Sequence, residues 1–315
     1  TMEPSLGWTL LSRDALRRAE TQMRDEVQGV RDEIGFLALH QAYADRFFPG
    51  TSVLHTRLRY ALFVPWLYQG LIERGVRDRV SDALEHSELE LTGRLKKAGE
   101  TGIIGARNYP KPTTQPPCMI YWSALGAWRV LRPLKDGSYP ARSVVHRTIS
   151  RRTSSVRLHD DDKQLLEEDE HLFAGIPGPP KAWSNSQLPL DFRLSSKERR
   201  FLSGVMLAVS RPQSNEPSLL SRLVEKKVQM TDRIQMWSPR VLNVADVEDC
   251  AAIVRAKRAA ALSAIGRAIY AALVKEMRDK KDRVATESIH RANLPIVVEE
   301  FGADALQLAI DGVVS

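Results

Sequence analysis

The sequence predicts a mainly α fold: two helical regions joined by a charged, Pro/Gly-rich connection. Three observations carry this. Apolar residues recur at three- and four-residue spacing through most of the chain. Capping residues and Pro/Gly breakers separate those runs. From about 135 to 190 the periodicity gives way to charge blocks and prolines. The expected organisation is an N-terminal helical domain over 1–134, a charged linker or insertion over 135–190 and a C-terminal helical domain over 191–315.

Residues 9–31 are expected to form a highly charged helix, capped by Ser12 or Asp14, that is exposed or faces a partner. A second helix is expected over 34–47, with Leu37, Ala38, Tyr43 and Phe47 able to line one face. Pro49 and Gly50 stop it, and Thr51 or Ser52 can cap the next, over about 53–73. There Leu54, Leu58, Leu62 and Trp66 share a row, and Pro65 invites a kink. Residues 78–98 form another helix, and the glycines and prolines between 99 and 117 form a loop. Ser123 can cap a short helix running to Leu131. Beyond the connection, Ser195 and Glu198 make a capping box for a helix over 196–209. A helix follows over about 217–231. The strongest element is 245–283, with acids at its start, an Ala-rich amphipathic middle and bases at its end, as the helix dipole favours. Residues 295–314 add one more.

At 315 residues the chain is long enough for two cores. With 43% hydrophobic and 27% charged residues it has an ordinary globular composition. No apolar run reaches the roughly 18 residues of a membrane span. The N-terminus lacks the basic and apolar stretches of a secretory signal. Cys118 and Cys250 lie far apart, which fits a reducing cytoplasm better than a disulfide framework. The net charge of +7 is mild, so placement matters more than the total. Residues 129–157 hold eight Arg/Lys against Asp136 alone. Residues 158–170 hold seven acids against Lys163.

Most catalytic signatures are absent. There is no Walker A sequence and no nucleophile elbow, and the glycines of 99–105 lack a lysine and a preceding strand. Glu225-Lys226-Lys227 contains the E-x-K of some metal-dependent nucleases, but a solvated helix face is the plainer reading. Asp160, Asp161 and Asp162 are able to hold a divalent cation; a solvated acidic loop, or one that neutralises the neighbouring arginines, is plainer. No catalytic residue, metal ligand or cofactor is assigned. The basic segment is the nucleic-acid candidate, through Arg142, Arg147, Arg151, Arg152 and Arg157, because arginines bind phosphate and release counterions. It is equally suited to lie against the acidic block. The helices 34–47 and 53–73 have a helix–turn–helix look, with Arg57 and Arg59 where recognition residues sit. The second helix is apolar on most sides, however, which favours burial.

Several stretches resemble the N-terminal signature of an uncharacterised bacterial family. They are Asp32-Glu33-Ile34-Gly35, Phe48-Pro49-Gly50-Thr51-Ser52, Thr56-Arg57-x-Arg59-Tyr60 and Phe63-Val64-Pro65-Trp66. Gly102-Ile103-Ile104-Gly105, Ile120-Tyr121-Trp122-x-x-Leu125-Gly126 and Leu190-Asp191-Phe192-x-Leu194 complete them, so the resemblance covers most of 7–210. It implies a companion of helicases and phospholipase-D-like nucleases in bacterial defence islands, cut from a longer parent. It carries no catalytic residue. Physically, Arg57 or Arg59 can pair with Asp32 or Asp45 and set a helix angle, or can join the N–H groups of Thr51 and Ser52 in an anion site. The structural role is favoured.

The resulting expectation is a cytoplasmic, non-catalytic subunit of a bacterial antiviral system that helps a helicase or nuclease engage DNA. The rivals are a protein–protein scaffold that never touches DNA, and a divergent metal-dependent nuclease.

Overall fold

Nine consecutive residues, Tyr60 to Tyr68, are buried on one helix. A helix apolar on every side has no solvent face, so other elements must surround it. In the computed structural model, which describes residues 36–151, 172–185, 187–231, 234–283 and 288–314, they do. The expected 9–31 helix, Asp32, Arg152, Arg157 and the acidic block lie outside the described residues.

The described residues fold into helices, with isolated β-bridges at Leu131–Phe173 and Ser210–Pro217. The order is α1 (Phe36–Phe47), α2 (Tyr60–Glu73), α3 (Val80–Lys97), α4 (Pro117–Ile120), α5 (Trp122–Ala127) and α6 (Arg142–Arg151). There follow α7 (Ser196–Leu207), α8 (Leu219–Glu225), α9 (Pro239–Leu242), α10 (Val247–Asp282) and α11 (Ile289–Val314). The fold is mainly α, as expected. None of these helices is long and apolar enough to cross a membrane.

Several boundaries differ from expectation for identifiable reasons. The central helix begins at Tyr60 rather than 53. The Tyr121 hydroxyl accepts from the N–H groups of Thr56 and Arg57 at 3.1 and 3.2 Å and donates to the Arg57 carbonyl at 2.8 Å. Those bonds satisfy the segment in a non-helical form. Thr51 does not cap α2; its hydroxyl bonds the Phe48 carbonyl at 2.8 Å and closes the turn after α1. The helix expected to reach Leu131 stops at Ala127. Arg129 enters the left-handed region (φ 55°), and the N–H groups of Val130 and Leu131 both reach the Leu125 carbonyl. The C-terminal helix starts at Ile289, ahead of Pro295, because Ser288 accepts from the Arg291 N–H at 3.3 Å and starts it early. The Ser195–Glu198 capping box is formed, and Asp246 caps α10 through the Asp249 N–H at 2.7 Å.

The chain packs as two compact units. One is Ala44–Val224; the other takes the start of α1 and the chain from Glu225 onward. The break falls at 224/225 and not at 134 or 191. The described part of the supposed linker packs on the core of the first unit, because a few of its aromatic and carbonyl groups find partners there. Phe173 is buried, Trp183 stacks on Phe63 with ring centres 5.6 Å apart, and Trp66 Nε1 donates to the Pro177 carbonyl at 2.8 Å. The guanidinium of Arg94, on α3, donates to the carbonyls of Ala182, Trp183 and Leu188. Charge and proline made 172–190 look like a tether; a few large side chains outweigh them. In the second unit α10 and α11 pack as an antiparallel pair.

Candidate functional site

The signature stretches converge on one place in the first unit. Arg59 precedes α2 and is only 5% exposed. Its Nη1 donates to the Asp191 carbonyl at 2.8 Å and to Asp191 Oδ1 at 2.7 Å, and its Nη2 donates to Glu198 Oε1 at 2.8 Å. The other Glu198 oxygen accepts from the Ser195 N–H at 2.6 Å, so one carboxylate caps α7 and neutralises Arg59. Arg57 is exposed, with Nε and Nη2 on the Thr101 carbonyl and hydroxyl at 3.0 and 2.7 Å. Its guanidinium also lies 5.9 Å from the centre of the Phe192 ring. The Tyr60 hydroxyl accepts from the Ile104 N–H at 3.0 Å, and the Tyr60 and Tyr121 rings lie 5.5 Å apart. His55 stacks on Tyr121 at 4.1 Å, and its Nε2 lies 3.1 Å from the Ile120 carbonyl. Burial depresses the His55 pKa to about 4, against the pull of that carbonyl.

This corrects the sequence reading of Arg57 and Arg59. Both precede the helix instead of lining its first turns, and Arg59 pairs with Asp191 and Glu198 rather than Asp45. With both terminal nitrogens occupied inside, Arg59 is withdrawn from any phosphate contact. The signature is a joint that ties the loop before α2, the 101–105 loop, α4 and the 190–198 segment together. In the sequence these stretches lie far apart, and only their shared place in one signature hints that they meet.

The basic candidates divide differently. On α6, Val145 and Ile149 are buried, while Arg147 and Arg151 stand one turn apart on the opposite, exposed side. Arg129, Arg132 and Lys135 are exposed as well, and Asp136 is the one acid from 129 to 151. Arg142 turns inward. It sits close enough to act on Glu88, Cys118 and Tyr68, and its Nε is buried without a hydrogen-bond partner.

No motif in the sequence marks that inner group. Glu88 is 4% exposed, and its Oε1 accepts from the Cys118 N–H at 2.7 Å. The Tyr68 hydroxyl lies 2.9 Å from His146 Nε2. Burial pushes the Glu88 carboxyl up to about 7, although the Cys118 hydrogen bond and Arg142 pull the other way. Burial also raises the Cys118 thiol, the reverse of what a reactive cysteine needs. A carboxyl raised from 4.5 to about 7 on folding contributes stability below 4.5 that is lost as pH rises through 7. His55 works in the opposite sense: its depressed value contributes above 6.5 and is lost as pH falls towards 4. Glu88→Gln is therefore expected to raise stability at pH 8 by roughly 2–3 kcal/mol relative to its effect at pH 5. Urea unfolding at both pH values measures this, and an equal effect at both would show that Glu88 does not titrate there.

The E-x-K triplet has the plainer outcome. Glu225 ends α8, and its side chain is 60% exposed, beside Lys226 at 3.9 Å. Lys227 follows in the left-handed region at φ 51°. Among the described residues no group of three or more His, Cys, Asp or Glu is placed to hold a metal ion.

The fold and these clusters define a helical protein built around a signature joint, with an exposed basic helix. In sequence, residues 4–159 match the model of a family of unknown function (DUF6361). That match takes in α1 to α6 and most of the joint, and ends before Asp191 and Glu198. No curated protein and no solved structure matches the chain.

Proposed function

We propose that this chain is a cytoplasmic, non-catalytic accessory subunit of a bacterial antiviral defence system, working with a helicase or nuclease and contacting DNA phosphates through α6. The defence setting and those partners rest on the family resemblance. The contact rests on one observation: Arg147 and Arg151 share the exposed side of a helix whose other side is buried, in a stretch with a single acid. Arginines one turn apart on a helix have Cβ atoms about 5–6 Å apart, so both side chains can reach one phosphate backbone. Arg152 and Arg157 extend the same charge along the sequence. Arg57, Arg59 and Arg142 drop out of the contact set because each is engaged within the first unit.

The test is binding of labelled duplex and single-stranded DNA across a salt series. Arg147→Glu with Arg151→Glu is expected to weaken binding at least about tenfold and to flatten the log–log salt slope by about 2. Unchanged affinity and slope would remove α6 from the account. The scaffold reading is favoured by a separate observation, the apolar outer side of α10.

A further inference from the structure

Over its distal half α10 is built the wrong way round for a helix that packs mainly on α11. Lys257–Asp304 at 2.8 Å and Glu276–Arg291 at 3.8 Å set the antiparallel register. Along that stretch Ala264, Ala268, Ala271 and Ala272 are partly covered, on the side towards α11. Leu262, Ile269, Tyr270, Leu273, Val274 and Met277 point the other way and are between 41% and 70% exposed. At 3.6 residues per turn those six fall within an arc of about 140°, about 22 Å long. Helices normally bury their large apolar side chains and leave the small ones outside.

The stripe has a shape and a charge. Gly266 lies on the stripe towards its N-terminal end, and a Cβ added there would meet nothing within 4 Å, so Leu262, Ile269 and Tyr270 surround a notch. A notch bounded by side chains three and four residues apart is the hole that receives one side chain of an approaching helix. From 255 to 283 there are nine Arg/Lys and three acids. All three acids are taken by lysines or arginines four residues away: Glu276 by Lys280, Asp279 by Lys275 and Asp282 by Arg278. Arg255 and Lys281 stand exposed towards the two ends of the stripe, and Arg267 stands along its edge.

We propose that this side of α10 docks an amphipathic helix of a partner protein whose apolar stripe is bordered by acidic residues. The stripe is one helix wide, the notch is a helix-packing feature, and the exposed charges at its ends and along the Arg267 edge are basic. A second copy fits poorly. Antiparallel pairing about Ile269 and Tyr270 would bring Lys281 near Arg258, and parallel pairing would set each base against itself. The inference deepens the reading of the chain as a subunit of a complex by giving the chemistry of the partner. It stands apart from the DNA contact, because α6 variants and α10 variants can fail independently.

The experiment uses the full chain and two synthetic four-heptad helices. Both carry Leu and Ile along the stripe; one has Glu along its borders and the other Lys. The Glu-bordered helix is expected to bind at least about tenfold tighter than the Lys-bordered one. Leu273→Glu is expected to abolish that binding, and Gly266→Leu, which fills the notch, to weaken it. Arg267→Glu with Lys281→Glu should reverse the preference; all these positions are exposed, and circular dichroism checks that the variants stay folded. Binding of neither helix, or of both equally, overturns the proposal. So does adsorption to phosphatidylserine vesicles that Leu273→Glu removes and Gly266→Leu strengthens, which would assign the stripe to a lipid surface. A dimer of the chain alone that Leu273→Glu dissociates would assign it to a second copy and overturn the proposal equally.

Discussion

Arg59→Ala is expected to destabilise the first unit by about 3–5 kcal/mol, the range found when one partner of a buried ion pair is removed. The cost comes less from lost attraction than from what remains. Glu198 is 3% exposed, and without Arg59 it keeps only the α7 cap as a partner for its charge. Asp191 loses two bonds as well, but its side chain is 45% exposed and water can replace them. Arg59→Lys is expected to fall only a little short of the alanine cost, because one ammonium cannot reproduce the forked donation to Asp191 and Glu198. The double variant Arg59→Ala, Glu198→Gln should recover part of the loss, since it removes the stranded charge. Urea unfolding of the four proteins measures this, and a loss under about 1 kcal/mol for Arg59→Ala would mean that the pair is solvated.

Gly50→Ala is expected to cost about 2–5 kcal/mol. Gly50 lies at φ +78°, where a side chain costs about 1–2 kcal/mol. An added Cβ would also lie 2.5 Å from Ala127 Cβ and 3.0 Å from Ala124 Cα, an overlap of the kind that costs about 1–3 kcal/mol. The two causes can be separated. Adding Ala127→Gly removes the nearest clash but not the backbone strain, so it should return only part of the stability. The glycine lets the turn after α1 lie against α5, where Trp128 Nε1 donates to the Pro49 carbonyl at 3.1 Å. Wild-type stability in Gly50→Ala would show that the turn does not press on α5.

Much of the helical fold was legible in the sequence, and the misses share a cause. The capping box at Ser195, the Asp246 cap and the stop at Pro49-Gly50 all use groups within four residues of one another. The late start of α2 was not legible, because the hydroxyl that holds 56–57 belongs to Tyr121, more than 60 residues away. The 172–190 stretch was misplaced for the same reason, since its anchors, Trp66 and Arg94, lie far upstream. Of the candidate site, the sequence marked the basic segment but not which arginines reach solvent. Arg142 and Arg147 look alike in sequence; five residues apart, they point about 140° apart round the helix, one inward to Glu88 and the other out.

By itself, then, the sequence determined the helices and their local stops. Periodicity and capping act over three or four residues, and a pattern that short is written directly in the chain. The tertiary structure alone decided where the two units divide, that Arg59 closes on Asp191 and Glu198, and that the large side chains of α10 face away from α11. The Arg59 bonds span 132 and 139 residues. At such separations the partner of a charge or an apolar face is chosen by packing, which no local pattern encodes.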